Sequence, residues 1–158
     1  MRRIAPIAAL VAAVLLFLAA PGYAQQPPLI NNFKHDGLTI AGASGSHEFQ
    51  VELATDNAQR EQGLMYRQSM APDAGMLFIY DRSQPVAMWM ENTYIPLDML
   101  FIAADGHIVN IRQRAVPHSR ENIASTGPVK AVLELNGGTV SRLDIKVGDK
   151  VTGPGLAP

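Results

Sequence analysis

The chain has 158 residues, no cysteine and a formal net charge of −1 at pH 7, from 13 Lys and Arg against 14 Asp and Glu. Without cysteine, disulfides, thiol nucleophiles and thiolate metal sites are excluded. The near-neutral balance lacks the basic excess that attracts nucleic acid or anionic membranes, so we expect neither as a partner.

The first 24 residues have the pattern of a cleavable secretory signal peptide. Two arginines precede an uncharged stretch with its apolar centre at 10–18, and small residues follow before Ala24. We therefore predict cleavage between Ala24 and Gln25 and a periplasmic or secreted protein. A permanent membrane anchor is the alternative, but prolines shorten the apolar stretch below the roughly 20 residues of a spanning helix. We expect no stable membrane anchor.

Beyond the predicted cleavage point the chain is long enough for one domain. Residues 25–37 are polar, contain prolines and lack any period, which predicts a flexible leader. A single β-rich domain is predicted over 38–152, followed by a C-terminal tail over 153–158. Since no disulfide is available, buried apolar area has to stabilise this domain.

Alternation of apolar and polar residues predicts a hairpin at the start of the domain, with strands over 38–41 and 47–53. A short helix is predicted over 58–62, because Asp56 or the residue before it can cap its first turn and Gly63 can end it.

A continuous apolar run over 75–80 predicts a central strand covered on both faces. The remaining predicted elements are strands over 86–91, 97–103, 107–114 and 129–135 and one helical turn over 139–143. The segment 147–151, with a turn at Gly148-Asp149, is predicted to close the domain. The strands over 97–103 and 107–114 are expected to form a hairpin around a tight Asp-Gly turn. Seven to eight short strands with one or two short helices indicate a mainly β single domain, either a sandwich or a partly closed barrel.

Several motifs occur in an order that resembles a known family. They are Gln62-Gly63-Leu64-Met65-Tyr66-Arg67, Gly75-Met76-Leu77-Phe78, Met88-Trp89-Met90-Glu91-Asn92-Thr93, Ile95-Pro96-Leu97-Asp98, Val132-Leu133-Glu134-Leu135 and Gly148-Asp149. Over roughly 47–151 they resemble the family called domain of unknown function 192. The resemblance implies a compact β-rich domain, often exported in bacteria, with no established activity. Many members carry cysteine where this chain has His118, so a thiol-based role does not extend to it.

Polar and aromatic groups crowd the segment that follows Met88. The candidate ligand-binding residues are Arg67, Trp89, Asn92, Thr93, Asp98 and Glu134. Trp89 offers a flat apolar face and Arg67 a bidentate fork for carboxylate or sulfate, and such groups on a rigid sheet commonly hold ligands. We hypothesise a non-enzymatic exported module that binds a small polar or glycan ligand. Alternatively, Asn92 and Thr93 satisfy backbone groups in a turn and Arg67 pairs internally with Asp98 or Glu134.

Methionine motivates a second hypothesis. Six methionines lie between residues 65 and 99, and in a strand Met88 and Met90 would point to the same face. Thioethers select Cu(I), and His107 or His118 could complete a copper site. Methionine also fills irregular cores. No cofactor is expected under the leading hypothesis, and copper is the alternative.

A third hypothesis is a carboxylate-based hydrolase in which Glu91, Asp98 or Glu134 acts as general acid or base. Their spacing in the chain does not place any two of them at a working distance. Serine-nucleophile, zinc-histidine, phosphate-loop and dinucleotide motifs are all missing from the sequence. We therefore favour binding over catalysis.

Overall fold

A computed structural model of the protein describes residues 28–157. Over this range the chain forms nine strands and two short helices, which confirms the mainly β prediction. The predicted signal peptide, residues 1–24, lies outside the described residues. Between residues 28 and 157 no helix is long and apolar enough to cross a membrane.

In chain order the elements are β1 (Lys34–Gly42), β2 (Gly45–Ala54), α1 (Asn57–Gln62), β3 (Ala74–Gln84), β4 (Ala87–Met88), β5 (Leu97–Ile102), β6 (Ile108–Ala115), β7 (Ile123–Ala124), β8 (Val129–Asn136), α2 (Thr139–Leu143) and β9 (Lys150–Thr152). Seven strands form one sheet in the order β6-β5-β8-β3-β2-β1-β9, and β4 pairs with β7. Neighbours in the large sheet are antiparallel except β2 and β3, which are parallel.

The large sheet curls until its two edge strands meet. His107, directly before β6, forms a bridge with Lys150 of β9. The amide of Val151 also donates to the carbonyl of Gly106 at 2.8 Å. Of the two predicted architectures, the curled sheet corresponds to the partly closed barrel.

The sheet separates two hydrophobic cores. The inner core contains side chains from all seven strands of the sheet, and the outer core covers the opposite face of β3, β5 and β8. Alternate residues of β3 belong to different cores, Leu77 to the inner one and Met76 and Phe78 to the outer one. The prediction of a central strand covered on both faces is therefore confirmed.

The outer core is covered by irregular chain rather than by a second sheet. Phe33, Leu64, Val86 and Met90 supply this cover, and each is at most 7% exposed. The ordered domain begins earlier than residue 38, where the domain boundary was predicted, because β1 starts at Lys34 and Phe33 is already buried.

Helix α1 is a single short helix with both ends defined by the residues that the sequence indicated. The Asp56 side chain accepts from the amide of Gln59 at 2.8 Å, and the Gln59 side chain accepts from the amide of Asp56 at 3.3 Å, which makes a capping box. Gly63 ends the helix with a φ of 48°, a value that favours glycine. The side chain of Gln62 exchanges hydrogen bonds of 2.6 and 2.7 Å with the backbone of Ile30 and so fixes the N-terminal segment.

The strand predicted over 86–91 is wrong beyond Met88. Only Ala87–Met88 is in a strand, β4. The amide of Met90 donates to the carbonyl of Ser119 at 2.9 Å, and Asn92 has a φ of 54°, outside the range of a strand. The segment from Trp89 to Pro96 is therefore a loop that lies over the outer core.

Candidate functional site

A cleft of about 250 Å³ opens between α1, β3 and the loop that follows β4. The side chains that matter for its chemistry are Arg60, Met65, Phe78, Tyr80, Met88, Trp89, Glu91, Thr93 and Glu134. They come from four separate stretches of the chain, which only the folded sheet brings together.

Glu134 of β8 is the buried acid of this cleft. It belongs to the outer-core face of β8, because Leu133 and Leu135 on either side of it point into the inner core. Its direct cross-strand neighbours are Met76 on β3 and Met99 on β5, both fully buried. Only 3% of Glu134 is exposed.

The carboxyl of Glu134 has no hydrogen-bond or ion-pair partner among residues 28–157. Burial disfavours the charged form of an acid, and it raises the pKa of Glu134 to about 8. At neutral pH this carboxyl is therefore mostly protonated and can donate a hydrogen bond as well as accept one. A buried polar group without a partner is uncommon in a folded protein and is a typical feature of binding sites.

Tyr80 and Arg60 form one wall of the cleft. Burial raises the pKa of Tyr80 to about 12, the nearby guanidinium of Arg60 lowers it and Glu134 raises it further. The Arg60 guanidinium lies over the Tyr80 ring at 5.3 Å. It donates to the carbonyls of Thr55 and Ile79 at 2.8 and 2.7 Å. Arg60 is thus held in place by backbone contacts and stacking rather than by an acid.

Another part of the lining is aromatic and sulfur-rich. Trp89 lines the cleft and is 48% exposed, so part of this side chain is accessible to solvent. The sulfur of Met88 accepts a hydrogen bond from the Tyr80 hydroxyl at 3.7 Å. Met65, which follows α1, adds a second thioether to the lining. These groups form a polarisable surface of the kind that packs against apolar parts of ligands.

Glu91 and Thr93 line the cleft from the loop after β4. The carboxylate of Glu91 is paired with Arg120 at 2.6 Å. The hydroxyl of Thr93 donates to the carbonyl of Glu91 at 3.2 Å, and Thr93 is 5% exposed. Thr93 is therefore a buried residue whose hydroxyl stabilises the conformation of this loop.

Three of the six predicted ligand-binding residues line this cleft, namely Trp89, Thr93 and Glu134. The other three, Arg67, Asn92 and Asp98, are not among its lining residues. The predicted set therefore does not converge on one pocket.

Asp98 of β5 is fully buried and binds backbone amides. One carboxylate oxygen accepts from the amide of Arg114 at 2.8 Å, and the other accepts from Gly138 at 2.9 Å and Val140 at 2.8 Å. These contacts connect β5 to β6 and to the first turn of α2. Asp98 thus fills the structural role that the sequence left open, although not with Arg67 as its partner.

Arg67 forms a bidentate ion pair with Glu52 of β2. One guanidinium nitrogen donates to a Glu52 oxygen at 2.7 Å, and the second nitrogen contacts the other oxygen. The guanidinium also lies over the ring of Phe33 at 6.0 Å. The internal pairing expected for Arg67 is found, but its partner is neither Asp98 nor Glu134.

Asn92 and His118 lie in strained loop positions next to the cleft. Asn92, His118 and Tyr66 have φ values of 54°, 62° and 65°, which non-glycine residues rarely adopt. The amide of Tyr66 donates to the carbonyl of Asn92 at 2.9 Å. The Tyr94 ring is 5.2 Å from the His118 ring and 6.1 Å from the Tyr66 ring. This aromatic cluster connects the loop after α1 to the loop after β4.

The three residues of the copper alternative differ in environment. Met90 is fully buried in the outer core, whereas Met88 is partly buried against it and His118 is exposed. Across residues 28–157 no group of three His, Cys, Asp or Glu side chains could hold a metal. Copper binding stays a prediction.

Sequence reasoning missed Arg60, Met65 and Tyr80. From the sequence alone, Arg60 is expected to be a solvent-exposed residue of a short helix, and Tyr80 is expected to be the last residue of an apolar strand. The sequence contains no signal for their convergence, because it depends on the parallel pairing of β2 with β3 and on the loop that crosses the sheet.

The chain belongs to the family DUF192, described as "Uncharacterized ACR", whose family model matches residues 39–153. The resemblance inferred from the motifs is thereby confirmed. No curated protein matches the chain.

Two crystal structures of similar proteins support the fold. One, from Sinorhizobium meliloti 1021, is described as a "putative transcription regulator"; it is 55% identical, with a TM-score of 0.78, and the match covers 80% of this chain and 99% of that one. The other, a protein of unknown function from Novosphingobium aromaticivorans DSM 12444, is 39% identical, with a TM-score of 0.77 and coverage of 82% and 94%.

Proposed function

We propose that this protein is a binding module that holds a small polar ligand in the cleft above Glu134. The single observation that carries the proposal is the Glu134 carboxyl, 3% exposed, at the lining of an open cleft without a partner among the described residues. The oxygens of this carboxyl are accessible from the cleft rather than fully enclosed. A ligand that enters the cleft can form the hydrogen bond that the described residues do not supply.

The side chain of Trp89 supports the same assignment. It is large, aromatic and 48% exposed, and it lines the same cleft as the polar side chains of Tyr80 and Glu134. An aromatic face beside hydrogen-bonding groups suits a sugar or another small molecule with both apolar and polar surfaces. A glycan is therefore one member of the proposed ligand class.

The location of this activity is also a proposal. The charge and hydropathy pattern of residues 1–24 supports export, and we infer that the mature chain begins at Gln25 and functions in the periplasm or outside the cell. N-terminal sequencing of the protein from fractionated cells tests this. A mature protein that still begins at Met1 in the cytoplasmic fraction contradicts it.

Tryptophan fluorescence tests binding directly, because Trp89 is the only tryptophan of the chain. We expect titration of the purified protein with a panel of small glycans and polar metabolites to give a saturable change for at least one compound. Trp89→Ala, followed by ligand-observed NMR, should abolish that binding and change Tm by only a few degrees. Val147→Ala, at an exposed apolar residue that does not line the cleft, is the control. Collapse of the fold in Trp89→Ala would show that Trp89 is a packing residue.

A hydrolase is the second candidate, because two acids with different environments line one cleft. Glu134 is buried with a raised pKa, whereas Glu91 forms an ion pair with Arg120, and acid–base catalysis by two carboxyl groups uses such different environments. Asp98 is no part of this candidate, since backbone amides occupy both its oxygens. Turnover of chromogenic glycosides that both Glu91→Gln and Glu134→Gln abolish would support it. Unchanged background hydrolysis with every substrate would reject it.

A further inference from the structure

The ionisable side chains of the cleft are mostly acids. Among the described residues, Glu61, Glu91 and Glu134 line it together with one arginine, Arg60. The guanidinium of Arg60 donates to two carbonyls and to the side chain of Asn57 at 2.7 Å, so three of its five N–H groups are engaged by the protein itself. A contact of both terminal nitrogens with an anionic ligand would have to displace some of these bonds.

The uncharged part of the lining favours cations as well. Trp89 presents an exposed ring, and aromatic faces attract ammonium groups. Met65, Met88 and Phe78 add a soft, apolar surface that suits the carbon skeleton of an organic molecule. The Tyr80 hydroxyl donates to the Met88 sulfur, which leaves the Glu134 carboxyl without a donor from this wall.

We propose that the cleft binds an organic ammonium ion, whose N–H groups donate to the carboxyl of Glu134 and whose carbon skeleton packs against Trp89 and Met88. This inference rests on the proposed binding function and names the chemical class of its ligand. A neutral polyol could hydrogen-bond to Glu134 as well, but it would gain neither a charge-assisted contact with the ionised carboxylate nor an attraction to the aromatic face as a cation site.

The protonation state of Glu134 makes the two ligand types distinguishable. The titratable groups that share the cleft lining with Glu134 are Tyr80 from β3, Arg60 and Glu61 from α1 and Glu91 from the loop after β4, while its cross-strand neighbours Met76 and Met99 are uncharged. Burial holds the pKa of Glu134 at about 8, so an ammonium ion that binds at pH 7 has to displace a proton. A neutral ligand releases none.

A matched pair of probes tests the proposal: phenethylammonium and phenethyl alcohol, which share one carbon skeleton and differ in charge. We expect the ammonium ion to bind the purified protein at least about tenfold more tightly at pH 7, because only it forms a charge-assisted contact. Its affinity should rise about fivefold from pH 7 to pH 8 as Glu134 ionises, since alkylammonium groups, with a pKa of about 10, stay charged. Calorimetry in buffers of different ionisation enthalpy should detect the release of about one proton at pH 7.

Two variants assign the effect to one carboxyl. Glu134→Gln should lower the ammonium affinity about tenfold, to that of the alcohol, and abolish proton release. Glu48→Gln, an exposed acid of β2 outside the cleft, should leave both affinities unchanged.

Equal binding of the two probes, or tighter binding of the alcohol, overturns the ammonium assignment but leaves a binding function. Failure of the ammonium ion to bind at about ten-millimolar concentration also overturns it. The glycan and metabolite titration then decides the binding function on its own.

Discussion

Tyr80 and Glu134 line the same cleft, yet the Tyr80 hydroxyl donates to the sulfur of Met88 at 3.7 Å and not to the Glu134 carboxyl. A thioether is a weak acceptor compared with a carboxyl group. The carboxyl of Glu134, which is the stronger acceptor, therefore stays available at the lining of an open cleft, and we place the ligand there.

The first prediction concerns pH and stability. The pKa of Glu134 is about 8 in the folded protein and about 4.3 in an unfolded chain. Between these pH values the folded state binds more protons than the unfolded state. The stabilisation of the folded state that comes from the protonation of Glu134 is therefore complete below about pH 4, and it is lost as the pH rises through 8. Over this range the free energy of unfolding falls by at most about 1.4 kcal/mol per pH unit.

Glu134→Gln should remove this pH dependence, because its amide mimics the protonated acid and does not ionise. Urea unfolding at pH 5, 6, 7 and 8 should show the variant gaining stability relative to the wild type with each step. Glu48→Gln is the control at an exposed acid. Parallel curves for the wild type and Glu134→Gln would contradict the raised pKa.

The second prediction concerns Asp98. Its carboxylate accepts three backbone hydrogen bonds from Arg114, Gly138 and Val140, and it is fully buried. Asp98→Ala should lower the free energy of unfolding by about 3–5 kcal/mol, since it leaves buried amides without acceptors. Asp81→Asn, at an exposed position, is the control. A loss below about 1 kcal/mol would show that water replaces the carboxylate.

The third prediction compares two neighbours in the chain. Met90 is fully buried, whereas Trp89 is 48% exposed. Met90→Ala should therefore destabilise the protein by about 2–5 kcal/mol, as expected for a large-to-small change in a core. Trp89→Ala should cost less than about 1 kcal/mol, even though it removes the larger side chain. Thermal and urea unfolding of both variants check the contrast, and the reverse order would mean that the loop packs differently.

The fourth prediction concerns Arg67 and Glu52. Their side chains are 30% and 16% exposed, so solvent screens the pair only in part. A double-mutant cycle with Arg67→Ala and Glu52→Ala should give a coupling energy of about 1–2 kcal/mol, because the contact is bidentate. A coupling energy near zero would assign Arg67 to packing on Phe33 alone, where its guanidinium lies 6.0 Å from the ring.

Local signals in the sequence predicted most of the regular elements. The helix cap at Asp56, the glycine at 63 and the apolar run into β3 each depend on neighbouring residues, and each is found at a position that the sequence indicated. The strand over 86–91 was wrong because its apolar residues, Val86 and Met90, cover the outer core from a loop. Apolar residues alone do not distinguish these two ways of being buried.

The cleft itself depends on contacts that are distant in sequence. The sequence singled out Trp89, Thr93 and Glu134, but it grouped them with Arg67 and Asp98, whose partners are Glu52 and backbone amides. Arg60 and Tyr80 line the same cleft only because helix α1 packs next to strand β3 in the folded protein. A side chain's partner is chosen by packing, which spacing along the chain does not encode.

By itself, the sequence of this protein determined its family motifs, its mainly β composition, the ends of α1 and the absence of thiol chemistry, because these depend on residue type and short spacing. Tertiary structure alone decided that Glu134 is an unpaired acid in a cleft, while Asp98, equally buried, is satisfied by three amides. Both residues are acids in apolar strands. What separates them is the set of donors that the folded chain places within reach of each carboxyl group.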